Sequence, residues 1–313
     1  MKYEFIVTAA DADRRLDRFV AARFDQAPMG LVRRLLRQKK IKVNGQRPEA
    51  AHRLTAGDVV VVHHVARGGA PDPSAGAAFE PRPYEGPPIE VLAERDGFFF
   101  VNKPAGVACS DDGSDTQTLA RWLENELTTR IASGEVRPEA CHRLDRDTTG
   151  VVAVALGAAP FDSFRRALEA GKVHKSYEVV VHGSPSAVRF VIDTPLVRRG
   201  DVRADEARMI DGTGSTDALE ARTEFELLAS ASDLSLLRAR PITGRTHQIR
   251  AHCRIAGLHV VGDPRYGDAA RDEAVEATSG QLLHARALRF EGFGEVVATW
   301  PEIRVAWRRA HGL

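Results

Sequence analysis

No apolar run in this chain approaches the roughly 20 residues that a helix needs to cross a bilayer, so a membrane-spanning protein is not expected. The opening residues, Met1-Lys2-Tyr3-Glu4-Phe5, lack a long apolar stretch, and no secretory signal is read there. Cysteine is scarce: Cys109, Cys141 and Cys253 form an odd set at wide spacing. That excludes a disulfide framework and points to a reducing, cytoplasmic setting. Phosphate-binding loops are missing too. Gly212-Thr213-Gly214 lacks the further glycine and the preceding strand of a dinucleotide fingerprint, and no Gly-Lys-Ser/Thr of the Walker type occurs. Nothing calls for an organic cofactor. Metal binding is not expected either, because His247 and His252 are five apart rather than four and no glutamate follows the first. The adjacent pairs Cys141–His142 and His252–Cys253 form no nucleophile–base dyad by themselves, since neighbours on a strand point to opposite faces. No period of 20 to 50 residues is visible, which argues against a repeat architecture.

The 313 residues suffice for one large domain and a small one, and the 43% hydrophobic and 28% charged content is that of an ordinary globular protein. The net charge of +1 hides a strong asymmetry. Residues 31–47 carry seven basic side chains (Arg33, Arg34, Arg37, Lys39, Lys40, Lys42, Arg47) and no acid. Residues 13–53 hold twelve Lys or Arg against Asp13, Asp17, Asp25 and Glu49, a local charge of +8. So uncompensated a run repels itself, and it favours a phosphate-bearing partner, RNA or DNA, over a merely solvated helix face.

Leu16, Phe19, Val20 and Phe24 recur at helical spacing, and Val32, Leu35 and Leu36 give a second apolar stripe. The period then changes: Ile41 and Val43 alternate with Lys42, Asn44-Gly45 marks a tight turn, and Ala56-Gly57-Asp58 precedes a strand over Val59 to Val62. The arrangement around residues 13–62 resembles the small alpha-L RNA-binding motif shared by a small-subunit ribosomal protein and several RNA-modifying enzymes. Residues 66–88 include ten Gly or Pro and read as an exposed, partly extended linker. From Ile89 onward strand-like and helix-like stretches alternate. Strands are expected at Phe98–Val101, Val151–Leu156, Tyr177–Val181, Thr223–Leu228 and Leu234–Ala239. Helices are expected at Thr118–Leu127, Phe161–Ala170 and from near Thr246 to Ala256, the last ended by Gly257. The expected fold class is α+β, with a largely antiparallel or mixed sheet. The division read from this pattern is 1–65, linker 66–88, and 89–313.

The most informative segment is Cys-His-Arg-Leu-Asp-Arg-Asp-Thr-Thr-Gly at 141–150, directly before the apolar run Val151 to Leu156. Asp145 stands there between arginines at the mouth of a buried strand. The arginines favour its ionised form and desolvation opposes it, a placement suited to nucleophilic attack or charge stabilisation. Residue types alone also allow a surface ion pair of little worth. The same string, Arg15-Leu16-Asp17-Arg18, recurs in the first helical pattern, where Asp17 reads as an exposed or first-turn helix residue.

Six ordered segments lift that ambiguity: Val101-Asn102-Lys103-Pro104-Ala105-Gly106, residues 142–150, Lys175-Ser176-Tyr177, Pro241 to Arg250, Gly262-Asp263-Pro264-Arg265-Tyr266-Gly267 and Leu283-His284-Ala285. Together they resemble the RluA-type large-subunit rRNA pseudouridine synthase family, and most closely its RluC-like members. The resemblance implies the pseudouridine synthase fold, with a mixed, largely antiparallel central sheet and flanking helices. It also implies isomerisation of uridine to pseudouridine in RNA, without cofactor or metal. The base leaves its ribose, rotates and rejoins through carbon 5. Asp145 then matches the essential carboxylate, Arg250 the arginine paired with it, and Tyr177 the tyrosine that stacks on the base. Arg143 matches the residue that enters the space left by the everted base. Arg33, Arg34, Arg37, Lys39, Lys40 and Lys42 would hold the RNA, with large-subunit rRNA as the implied partner. Nothing demands more than a monomer. The rival readings are a non-catalytic RNA-binding or ribosome-assembly factor on the same scaffold, and a tRNA-directed synthase. Two positions depart from the pattern: Thr149 stands where serine is usual, and Cys109-Ser110-Asp111-Asp112-Gly113 replaces a histidine followed by glycines.

Overall fold

Apolar alternation and two tight turns build the N-terminal unit. The computed structural model describes residues 2–8, 12–23, 32, 35–49, 52–63, 79–111, 116–200, 208–277, 280–290 and 292–313. Chain contacts divide into an N-terminal unit reaching to residue 77 and a larger unit from residue 78 onward. In the first, β1 (Lys2–Ile6), β2 (Ile41–Val43) and β3 (Val59–His63) form an antiparallel sheet in the order β1-β3-β2. Helix α1 (Leu16–Arg23) buries Leu16, Phe19 and Val20 against Val32, Leu35, Ile41, Val43, Leu54, Val60 and Val62. Asn44 and Gly45 take φ of 50° and 77°, the left-handed conformation that closes a two-residue hairpin. The Asn44 amide donates to Asp58 Oδ1 at 2.7 Å and its oxygen accepts from the Val59 N–H at 2.8 Å, locking both turns together. Asp17 does lie in the first helical turn but is not exposed; it is 3% accessible and pairs with Arg15 at 2.8 Å. Arg37 and Lys39 are exposed, Lys40 and Lys42 half-buried, and none of the four forms an ion pair among the described residues. Arg33, Arg34, Phe24 and residues 66–78 lie outside the described residues.

Residues 79–88 are irregular and mostly exposed, as an expected linker would be, yet they do not run free. Arg82 Nε donates to Glu124 at 2.9 Å, the Asn125 amide donates to the Arg82 carbonyl at 2.7 Å, and Tyr84 packs against the core. A proline-rich segment needs no strand or helix to be held; hydrogen bonds to its side chains and backbone at a few positions suffice.

The larger unit is organised on a ten-stranded sheet. Its main path runs β4 (Glu90–Arg95), β5 (Phe98–Lys103), β7 (Thr149–Ala155), β14 (Leu283–Phe290), β8 (Val173–His182), β13 (Leu234–Pro241), β12 (Thr223–Ala231), β9 (Arg189–Ile192). β6 (Glu139–Ala140) pairs with β7, and β15 (Gly294–Val297) with β14. Among the described strands the parallel pairing is β7 with β14, over His284↔Thr149 and Ala285↔Gly150; the rest is antiparallel. β7 is buried along its whole length, because both faces of the sheet are covered. One face packs Val152 and Val154 with Phe99, Val101 and helix α2 (Leu119–Glu126); the other packs Val151 and Ala153 with Phe98, Phe100, Leu288 and Phe164 of α4 (Ala158–Glu169). Each such buried Val or Phe contributes roughly 1.5–3 kcal/mol. α2 starts where Thr118 accepts a hydrogen bond from the Arg121 N–H, one residue inside the expected limit, and is followed by the short α3 (Thr128–Ala132).

Helix α5 (Gln248–Ile255) begins two residues later than its sequence pattern predicts, since His247 has φ of 51° and cannot be its first helical residue. Its end is as expected. Gly257, at φ +72°, donates to Arg254 O and Leu258 donates to Cys253 O, the paired bonds of a Schellman cap. Strands β9, β10 (Leu196–Arg199), β11 (Arg208–Asp211), β14 and β15, and helices α6 (Ala269–Ala274) and α7 (Glu302–Ala310), are elements that hydrophobic periodicity did not predict. No helix among the described residues is long and apolar enough to cross a membrane.

Candidate active site

The loop before β7 is fixed from three sides. Leu144 is buried in the core, and its N–H donates to Cys109 Sγ at 3.2 Å. Thr148 N–H donates to the Asp145 carbonyl at 3.1 Å, which closes a turn across 145–148. Lys103, fully buried at the end of β5, donates from one ammonium group to the carbonyls of Pro104, Val107 and Arg146 at 2.8, 2.9 and 2.8 Å. Burial lowers the pKa of Lys103 to about 8, and Asp147 and Asp145 act in the opposite direction. At the far end of the loop, Gly150 has φ +115°, and a Cβ there would lie 2.2 Å from the Ala285 carbonyl oxygen. Only glycine permits β7 to pass this close to β14. Thr149 keeps the hydroxyl of the usual serine and uses it: Oγ1 lies 2.8 Å from His284 Nδ1. The other ring nitrogen lies 3.2 Å from the Ala298 carbonyl, so Nε2 carries the proton and Thr149 donates to Nδ1. Burial drives the His284 pKa down to about 3.

Asp145 emerges from this loop with its side chain 22% exposed. Arg250 Nη1 donates to Asp145 Oδ2 at 2.9 Å, leaving Oδ1 without a hydrogen bond among the described residues. The same guanidinium makes a two-point contact with Asp263, Nε to Oδ2 at 2.6 Å and Nη2 to Oδ1 at 2.7 Å. Asp263 is fully buried and also accepts from the N–H groups of Arg265 and Tyr266 at 2.9 and 3.0 Å. Burial works against the charge on Arg250, but Asp263 and Asp145 outweigh it and raise the guanidinium above its ordinary pKa. For Asp263 burial raises the pKa, but the bonds from Arg250 and the two amides outweigh it and leave a net depression. The Arg250 plane also lies over the Tyr266 ring, 5.0 Å from its centre. Arg250 is thus locked in place by one carboxylate while it presents a charge to the other.

The helix that carries Arg250 is anchored by Gln248. Its oxygen accepts from Thr243 Oγ1 at 2.7 Å and the Arg245 N–H at 2.9 Å, and its amide donates to Arg222 O and Thr223 Oγ1, both at 3.0 Å. Tyr177 is buried on β8, between Ala239 of β13 and Ala285 of β14. Burial raises its phenol pKa well above the usual value, and the charge of Asp145 raises it further. Its hydroxyl makes no hydrogen bond among the described residues. Arg143 is exposed on the loop that carries Asp145 and likewise forms no ion pair there among the described residues.

Sequence motifs thus bring Asp145 and Arg250 into contact, with Tyr177 within electrostatic reach. Arg37, Lys39, Lys40 and Lys42 lie in the N-terminal unit. Asp263, Tyr266, Lys103 and His247 have no role assigned from sequence, although each stands inside one of the six ordered segments. A lone acid in Gly-Asp-Pro gives no sign that it will be buried against an arginine thirteen positions earlier. Asp111, one of two acids at an unusual position, is taken up by ion pairs with Arg82 and with Arg121 Nε, the latter at 3.2 Å; Asp112 and Gly113 lie outside the described residues. Burial raises the thiols of Cys109 and Cys253 and pushes Cys141 up to about 12, so none is a ready thiolate. No group of three His, Cys, Asp or Glu among the described residues is placed to hold a metal ion. A cavity of about 540 Å³ between the β4–β5 turn and the start of α4 is lined by none of these residues.

The family model described as RNA pseudouridylate synthase matches residues 97–254, a span that takes in the carboxylate loop, Tyr177 and Arg250. The chain belongs to the RNA pseudouridylate synthase family. A second model, the S4 domain, matches residues 14–60, the segment that resembles the alpha-L motif. Ribosomal large subunit pseudouridine synthase C of Escherichia coli strain K12 is 30% identical over 310 residues, covering 93% of this chain and 90% of the relative. An uncharacterized RNA pseudouridine synthase of Bacillus subtilis strain 168, YlyB, is 30% identical over 290 residues, covering 91% and 89%. Human RNA pseudouridylate synthase domain containing 4 shares the fold at a TM-score of 0.58 and 21% identity, over 70% of this chain and 91% of the human one. Human RNA pseudouridylate synthase domain containing 1 superposes at 0.56 with 26% identity, over 71% and 86%. The pseudouridine synthase fold, the mixed sheet and the isomerase class read from the motifs are those of these relatives.

Proposed function

We propose that this RNA pseudouridine synthase modifies uridines of large-subunit ribosomal RNA and that Asp145 is its essential carboxylate. The observation that carries the reading is the asymmetric clamp on Asp145. One oxygen is held by Arg250, the other is uncommitted, and the side chain is exposed enough to be reached. Attack on the nucleoside and stabilisation of its separated fragments both need the ionised carboxylate, and Arg250 supplies compensating charge at low accessibility. Uridine and pseudouridine are isomers, so the reaction requires no oxidant and no group donor. Tyr177, with its raised pKa, is a neutral phenol at physiological pH. It offers a flat apolar face to the base and a hydroxyl at the ring edge, and it is a poor base until something takes its proton.

A uridine within a helix must leave the stack to reach Asp145, at a cost of a few kcal/mol. Arg143, exposed and close in sequence to the carboxylate, is placed to fill the gap with a planar guanidinium. The basic residues Arg37, Lys39, Lys40 and Lys42, with Arg33 and Arg34, hold RNA by phosphate contact through the unit at 1–65, and 89–313 performs the chemistry. The protein acts as a monomer in the cytoplasm, without metal. Support for the RNA target is the similarity over nearly the whole chain to synthases named for the large ribosomal subunit. The test is a map of pseudouridines in total RNA from cells with and without the gene. Loss of one or more sites in large-subunit rRNA is expected; loss confined to tRNA would move the assignment to another substrate.

A further inference from the structure

His247 sits on the uncommitted side of Asp145. Its Nε2 lies 3.9 Å from Oδ1, the oxygen that Arg250 leaves free. The residue occupies a left-handed backbone conformation, φ 51° and ψ 21°, immediately before the helix that carries Arg250. A non-glycine residue is strained there, so the surrounding contacts must impose it. Gln248 supplies part of that constraint through its four hydrogen bonds to the flanking loop. Tyr266 supplies the rest: its ring meets the imidazole edge-to-face at 5.6 Å and 78°, and its hydroxyl lies 3.1 Å from Nδ1.

The hydrogen-bond directions around Tyr266 fix the tautomer. Met209 N–H donates to the Tyr266 oxygen at 2.7 Å. The phenol is 1% accessible, so its own proton needs a protein acceptor, and the one within reach among the described residues is His247 Nδ1. Nδ1 therefore accepts, and the imidazole proton resides on Nε2, facing Asp145. The opposite tautomer would point a lone pair at a carboxylate oxygen. Asp145, Arg250, Asp263, Arg265 and Tyr266 are the titratable groups around the ring. Burial lowers the His247 pKa from its usual value; Asp145 acts against that, and Arg250 and Arg265 reinforce it. At neutral pH the ring is an uncharged donor.

We propose that His247 is a positioning residue for the isomerisation: its Nε2–H, directed by Tyr266, steers the free Oδ1 of Asp145 toward the everted nucleoside. This rests on the reading of Asp145 as the essential carboxylate. Because 3.9 Å is longer than a hydrogen bond, the donor guides Oδ1 without consuming its lone pairs. An imidazolium at the same place would pair with Asp145 and occupy that oxygen.

The experiment compares wild type, His247→Ala and His247→Gln on one RNA substrate, with thermal melts to establish folding and kcat, KM and pH profiles as readouts. His247→Ala is expected to lower kcat about 10- to 100-fold with KM within about threefold. His247→Gln, whose amide N–H extends to the same reach, is expected to recover most of that loss. The wild type is expected to lose activity on acidification through the His247 titration, and His247→Gln to lack that limb or show it at lower pH. An Ala variant with wild-type kcat overturns the proposal, as does a folded Gln variant no better than Ala or with an unshifted acid limb. Wild-type protein that forms no pseudouridine in any RNA overturns the assignment of Asp145 and this inference together.

Discussion

One arginine shared between two carboxylates decides the character of the centre. Asp263 is buried and tied down by four hydrogen bonds, so Arg250 cannot swing away to follow Asp145. Removing one partner from such a buried pair costs about 3–5 kcal/mol, so Arg250 is held where it meets Asp145. The same logic of committed partners applies behind the loop. Thr149 and His284 are both fully buried, and each completes the other. Thr149→Val keeps the shape but leaves His284 Nδ1 without a donor, at an expected cost of about 1–3 kcal/mol. Thr149→Ser keeps the donor, so it retains the stability that the valine variant forfeits, except for the packing of one methyl. Chemical denaturation of the two variants measures this. Equal stability of Val and wild type would show that the buried bond contributes nothing.

At the scale of elements, sequence periodicity was informative where one residue class dominated. β7 and β5 were legible as continuous apolar runs, and the helix holding Arg250 was legible from its Gly257 cap. The start of that helix was not, because the left-handed His247 is imposed by Tyr266 and Gln248, contacts made across the fold. β9, β10 and β11 are short and partly exposed, with charged residues such as Arg189, Arg198 and Arg208, and their pattern resembles loop. Tertiary pairing makes them strands. In the site, the family resemblance names Asp145 and implies its pairing with Arg250, 105 positions away, whereas the atoms that meet and the oxygen left over are given by the fold. Asp263 carried a motif but no role, since burial and a two-point bond to Arg250 leave no trace in residue order. The acids at 111 and 112 stand where the family pattern has glycines, and Asp111 anchors the Pro-rich strap through Arg82 and the start of α2 through Arg121.

For the whole molecule, charge is distributed by task. A net +1 coexists with a basic edge in the N-terminal unit, where Lys39, Lys40 and Lys42 form no ion pair among the described residues. Replacing these three lysines together with alanine is expected to weaken RNA binding uniformly across sequences. It should also flatten the dependence of log K on log salt by roughly 0.7–0.9 for each phosphate no longer neutralised. Filter binding or fluorescence anisotropy over a salt series reads both effects. An unchanged slope would remove this edge from the RNA interface. The chemistry proposed for the larger unit rests on a single carboxylate, and the most direct measurement is pseudouridine formation by purified Asp145→Asn beside wild type on the same RNA. Asparagine preserves the shape and can still meet Arg250 through its oxygen, so RNA affinity is expected to hold within about twofold. Turnover is expected to fall by more than about 10³-fold. Pseudouridine formed by Asp145→Asn at the wild-type rate would contradict the role given to Asp145.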